Sequence, residues 1–247
     1  MASAAHYTDP HLHTYTPVPA AGPGVCPVCH SGPRPGYHVC RSCTAVMRQV
    51  SHPTTSVVPI SLFTLNSQLW HVLRNYKDGS GPSAQFLGVQ VAAIIARFAA
   101  QHLECVATVL GGAPAIVTSV PSTRVMPRPG RHPLETAVTR VGALAKLHEP
   151  LLARGPAHAD HNLADDHVFM VRRRLSGERV LLIDDTFTTG ARLQSAVSAL
   201  RRSGASEVAC VVVGRVIDPE WNENCRQIWD QARQTPFRFD QCCLCRS

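Results

Sequence analysis

The chain has 247 residues, 45% hydrophobic and 17% charged, with a formal net charge of +7. That length and apolar fraction suit one α/β domain of ordinary size plus a small accessory module. A positive balance favours polyanions, sugar phosphates and nucleic acid alike, while the sparse, scattered aromatics exclude the interleaved pattern of a single-strand-binding platform. Even the apolar run from Val89 to Ala100 is interrupted by Gln90 and Arg97, so no membrane span is expected. The start, Met1 to His6, has neither the basic residues nor the apolar stretch of a secretion signal, which points to the cytoplasm. There the ten cysteines are better read as thiols or metal ligands than as disulfides.

Residues 1–24, rich in proline, alanine and small polar residues, are expected to form a disordered, solvated tail that includes His6, His11 and His13. A module over 25–50 follows. Cys26-Pro27-Val28-Cys29 and Cys40-Arg41-Ser42-Cys43 are two Cys-x-x-Cys knuckles separated by turn formers, and four thiolates at this spacing suit a tetrahedral Zn²⁺. So short a segment buries no core of its own, and metal binding worth about 10–16 kcal/mol in comparable peptides can replace it. Such a site is structural, because four protein ligands leave no open position. A redox pair and a chance cluster of buried thiols are the competing readings, and His30 and His38 are spare ligands.

The main domain is placed at 55–216. Val57 to Phe63 reads as an edge strand, Asn66 to Lys77 as a helix ended by the Asp78–Pro82 turn, and Ser83 to His102 as a long apolar helix. Ala115 to Val120 is a buried strand closed by Pro121, which puts Ser122, Thr123 and Arg124 at its carboxyl end. Leu134 to His148 repeats the helical pattern, and Val168 to Val171 leads into the central strand. Arg172, Arg173 and Arg174 form either a phosphate-facing lid or a solvated edge, and Asp160, Asp165 and Asp166 fall in the segment expected to move most. Ser206 to Val213 is a further buried strand. The alternation implies a mainly parallel sheet flanked by helices.

The most informative stretch is Arg179 to Leu200. Val180 to Ile183 is a continuous aliphatic run fit for a central strand, and it is expected to stop at Asp184 and Asp185. Thr186, Phe187, Thr188, Thr189 and Gly190 then form a turn before a helix carrying Leu193, Ala196, Val197 and Leu200. Two adjacent carboxylates at a strand's carboxyl end can accept hydrogen bonds from vicinal hydroxyls, at about 1.5–3 kcal/mol for each charge-assisted bond. The turn offers free amides at a helix N-terminus, an anion site. A strand running into a solvated acidic turn is the plain alternative. An ATPase-type acidic strand is disfavoured, because no glycine-rich loop ending in Gly-Lys-Ser or Gly-Lys-Thr precedes it.

Leu181 to Gly190 resembles the phosphoribosyl pyrophosphate (PRPP) motif of type I phosphoribosyltransferases. The order of a four-cysteine module, Asn75-Tyr76-Lys77-Asp78-Gly79, Val120-Pro121, a basic loop and this motif is similar to that of the ComF family, over about Cys26 to Arg215. Pro129-Gly130-Arg131-His132 stands where the family usually carries an Arg-Gly-Phe-Asn type sequence, and a later Arg-x-x-Asn segment is represented only by His161-Asn162. The resemblance implies the type I phosphoribosyltransferase fold and transfer of phosphoribose from PRPP with Mg²⁺ to a base or amine. Asp184 and Asp185 would hold the ribose, Thr186 to Gly190 the 5-phosphate, and Ser122, Thr123 and Arg124 would face the pyrophosphate. Arg128, Arg131 and Lys77 are candidate counter-charges. It also implies an alternative, a catalytically idle nucleotide-binding protein that acts with DNA. Residues 217–247 are read as a helix through Trp221, Ile228 and Trp229 and a cysteine-rich tail, in which Cys242 and Cys245 bind a second zinc with Cys225 or Cys243, or stay free. Cys105 and Cys210 are expected in the core.

Overall fold

The computed structural model describes residues 3–78, 81–122, 132–158 and 160–245. Its centre is a four-stranded parallel sheet in the order β1-β6-β5-β2, formed by β1 (Val57–Phe63), β2 (Ile116–Ser119), β5 (Arg179–Phe187) and β6 (Glu207–Val216). A separate antiparallel pair, β3 (Leu152–Arg154) and β4 (Phe169–Val171), lies outside it. The α/β class and the edge position of β1 agree with the sequence reading.

Period-two alternation on β5 sends its side chains to two apolar layers. Leu181 and Ile183 join the layer of α3 (Gln68–Asp78), α4 (Pro82–Leu110) and α5 (Pro133–Thr139). Val180 and Leu182 join the layer of α7 (Ala191–Arg202), which also contains Cys26, Cys29, Cys40 and Cys43. The cysteine module, which includes α2 (Arg41–Met47), therefore packs on the α7 side of the sheet.

Five expectations about the elements need correction. The first concerns the N-terminal segment, which is ordered: α1 (Ala4–Thr8) and a 3-10 turn (Asp9–Thr14) lead to Tyr15, which is buried, and Thr16 bridges to Leu62. Its polar composition hid the one ring that matters, which lies edge-on to Phe237 and Phe239. The second is the helical pattern after Leu134. It is split into α5 and α6 (Gly142–Ala145), because Val141 is extended at the junction. The third is β5, which continues through both aspartates to Phe187, since Asp184, Thr186 and Phe187 keep their pairing with β6. The fourth is α4. It extends to Leu110 and is long and apolar enough to cross a membrane, but half of its most apolar stretch is buried within the protein. Val91, Ile94, Ile95 and Phe98 on that helix pack in the sheet's apolar layer. The fifth is the last helix: the chain ends in α8 (Glu223–Arg233), which starts after Trp221 rather than through it, and an irregular segment to Cys245.

Candidate functional site

The site lies at the carboxyl ends of β2 and β5, where ligands bind in open parallel sheets. Asp184 and Asp185 are 4% and 2% exposed, well inside the protein rather than standing at its mouth. Because β5 is still a strand at this point, its pleat turns consecutive side chains to opposite faces. Asp185 points to the α3 side, where it accepts hydrogen bonds from the Tyr76 hydroxyl and the Lys77 ammonium. Of the candidate counter-charges, Lys77 is thus placed on the acid pair. Asp184 lies on the α7 side and accepts the Asp185 backbone N–H at 3.0 Å. Burial pushes its carboxyl up to about 6, against the pull of Arg192. Asp185 is held below the usual carboxylate range, because Lys77 and Tyr76 outweigh its burial.

The loop after β5 is shorter than expected, because Thr186 and Phe187 belong to the strand. Gly190 is left-handed (φ 87°), and a Cβ there would sit 2.5 Å from the Phe187 ring. Phe187 is therefore a platform under the loop, with a buried ring. Thr188 and Thr189 are half-buried; Thr189 donates its hydroxyl to the His161 carbonyl and accepts the Ala191 N–H at 3.4 Å. α7 has no side-chain cap and no acid in its first turn. It carries Arg192 there instead, whose Nη2 donates to the Pro121 carbonyl at 3.2 Å and so ties α7 to the end of β2. A cation in a helix's first turn opposes the macrodipole unless an anion is near. Here Asp184 is one such anion, and the uncapped turn has room in its hydrogen bonding for another.

Ser122 follows Pro121 at the rim and is half-buried. Thr123 and Arg124, with Arg128 and Arg131, lie outside the described residues. His132 borders the site: its Nδ1 accepts the Leu134 N–H at 3.3 Å, and burial beside Lys77 pushes the imidazole down to about 4. The sequence reading missed Arg192 and His132. Arg192 had one available signal, a basic residue where a helix start favours acids. Arg173 is no lid; it is half in solvent, paired with Glu149 and Glu178. Asp166 holds Ser51 and Ser198 rather than a ligand, which fastens its segment to α7.

Among the described residues, two clusters of four side chains can hold a metal ion, with ligand atoms within 4.8 Å of one another. The first is Cys26, Cys29, Cys40 and Cys43, as expected, and all four are buried. Left-handed His30 closes the first knuckle and places its Nδ1 2.9 Å from the Pro19 carbonyl, which makes it a brace and not a ligand. Hydrogen bonds among the thiols, with Arg215 behind them, pull Cys29 well below the ordinary thiol range. Arg215 is buried, its Nη2 lies 3.6 Å from Cys29 Sγ, and its guanidinium sits over the Phe187 ring at 5.0 Å. One side chain therefore links the cysteine module to the platform under the loop. The second cluster is His102, Cys105, Cys242 and Cys245. It corrects the expected grouping, since Cys225 is buried beside Ser31 and Cys243 lies in the core. Cys210 is core, but Cys105 is not. Compared with protein-family models and with curated proteins, the chain matches none.

Proposed function

We propose that this protein binds PRPP with Mg²⁺ at the ends of β2 and β5 and transfers its phosphoribosyl group to a base or amine. One observation carries the reading: the uncapped first turn of α7, entered through left-handed Gly190 and bearing Arg192, opens beside a buried carboxylate. The amide-lined turn and Arg192 would take a phosphate. Asp184 would meet the sugar hydroxyls, and its charge, with that of Asp185 behind it, would favour positive charge developing on the ribose ring.

The donor set fits Mg²⁺ in kind, since that ion takes one or two carboxylates and completes its shell with phosphate oxygens and water. Asp184 is the carboxylate free to serve, because Asp185 is occupied by Tyr76 and Lys77. Bound there, the ion would neutralise the leaving pyrophosphate. The four-cysteine module would hold a structural Zn²⁺, and a thiol-rich chain of this kind suits a reducing cytoplasm.

Isothermal titration of PRPP with and without Mg²⁺ tests the binding, and pyrophosphate release over a panel of bases and amines tests turnover. Asp184→Asn with Asp185→Asn is expected to abolish saturable PRPP binding while zinc content and far-UV dichroism persist; retained binding rejects the site. The engagement of Asp185 inside the fold favours a second reading, a catalytically idle nucleotide-binding protein acting with DNA. Saturable PRPP binding with no pyrophosphate release, together with DNA affinity that falls steeply with salt, would select it.

A further inference from the structure

We propose that His102, Cys105, Cys242 and Cys245 form a second zinc centre, tetrahedral and mononuclear, that fastens the C-terminal segment to α4. This rests on the cluster's own geometry and stands independently of the sugar-phosphate reading.

His102 and Cys105 are three residues apart on α4 and so share one face of it. Cys242 and Cys245 come from a turn at the far end of the chain, 143 positions from His102 in the case of Cys245. With Zn–S near 2.3 Å and Zn–N near 2.0–2.1 Å, a tetrahedron places sulfur pairs about 3.8 Å apart and nitrogen–sulfur pairs about 3.6 Å apart. The structure has Cys242 Sγ to Cys245 Sγ at 3.5 Å, and His102 Nδ1 to Cys245 and Cys105 Sγ at 3.6 and 3.8 Å.

The surroundings orient the ligands toward a common centre. His102 Nε2 lies 2.8 Å from the Phe239 carbonyl and donates its proton there, which leaves the Nδ1 lone pair directed at the sulfurs. A ring nitrogen anchored in this way is the usual outer partner of a metal-bound imidazole. The Leu244 N–H reaches Cys242 Sγ at 3.4 Å and the Cys242 N–H reaches Cys245 Sγ at 3.3 Å, contacts by which the backbone of the turn aims both sulfurs at the cluster. Three thiolates and one imidazole, closed and tetrahedral, select zinc over harder cations and leave no position for catalysis.

The segment held by this centre needs a fastening. From Thr235 to Cys245 it has no helix or strand, yet it inserts Phe237, Phe239 and Cys243 into the main core. A metal bridge to α4 supplies the restraint that a backbone ladder would otherwise give.

Elemental analysis of the full chain, purified under reducing conditions with zinc, is expected to give two zinc ions per molecule. Cys242→Ser with Cys245→Ser should reduce that to one and lower the melting temperature, while His102→Cys, which exchanges one zinc ligand for another, should retain two. Zinc-edge absorption of the unaltered protein should show imidazole scattering beside sulfur, a readout that does not depend on any variant folding. An all-sulfur shell, a zinc content of one that the double substitution leaves unchanged, or a Cys242–Cys245 disulfide in the purified protein would overturn the proposal.

Discussion

Asp184 is a carboxyl held where its charge is poorly solvated, and its proton affinity records that cost. Burial raises it from an ordinary 3.8 to about 6, so between those values the folded chain keeps a proton that the unfolded chain has released. Its contribution to stability is therefore present below about pH 4 and is lost as pH rises through about 6. Asp184→Asn fixes the neutral form. Urea unfolding should find the variant about 1–3 kcal/mol more stable than the parent near pH 8 and equal to it near pH 4, while PRPP binding is lost. A gap that did not depend on pH would mean the carboxyl is not desolvated. Gly190 carries a different constraint. Alanine there meets both a left-handed backbone and the Phe187 ring at 2.5 Å, a combined cost of about 2–4 kcal/mol by denaturant unfolding. Phe187→Leu in the same chain should return only the steric part.

At the scale of elements, β5 and α7 make the candidate site, and the cysteine module supports them through one buried arginine. Arg215 faces the Cys29 sulfur on one side and the Phe187 ring on the other. Removing it leaves the charge of the thiolates without its nearest counterion and the platform without its cover. Arg215→Met should weaken zinc retention by the module about 10–100-fold in a chelator competition. Unchanged retention would show that the module does not depend on this contact. Spacing alone identified the four cysteines, because a Cys-x-x-Cys pair carries its geometry locally. No local pattern announces Arg215, since its place at the end of β6 reads as the edge of an apolar strand.

Across the whole molecule, the two chain ends meet on α4. Tyr15, from the segment expected to be solvated, packs edge-on against Phe237 and Phe239, and Arg97 of α4 lies over the Phe239 ring at 4.3 Å while pairing with Asp9. Tyr15→Ala should therefore cost about 3–5 kcal/mol in denaturant unfolding, a core-sized loss from a segment of tail-like composition. A loss below about 1 kcal/mol would return the segment to the status of a loose arm.

The amino-acid order by itself determined what is local: the β5 aliphatic run, the turn ending in Gly190, the amphipathic α7 and the first cysteine set, each written within a few residues. The parallel sheet was legible too, because strands and helices alternate along the chain. Tertiary structure decided which side chains from distant elements share a space. It carried β5 past the acid pair, so that the pleat parted Asp184 from Asp185, set Tyr76 and Lys77 on one and left Arg192 facing the other. It also brought His102 and Cys105 to Cys242 and Cys245 across most of the chain. Short-range periodicity is a property of sequence. Proximity between residues far apart depends on how the layers close over the core, and no window of the sequence contains that information.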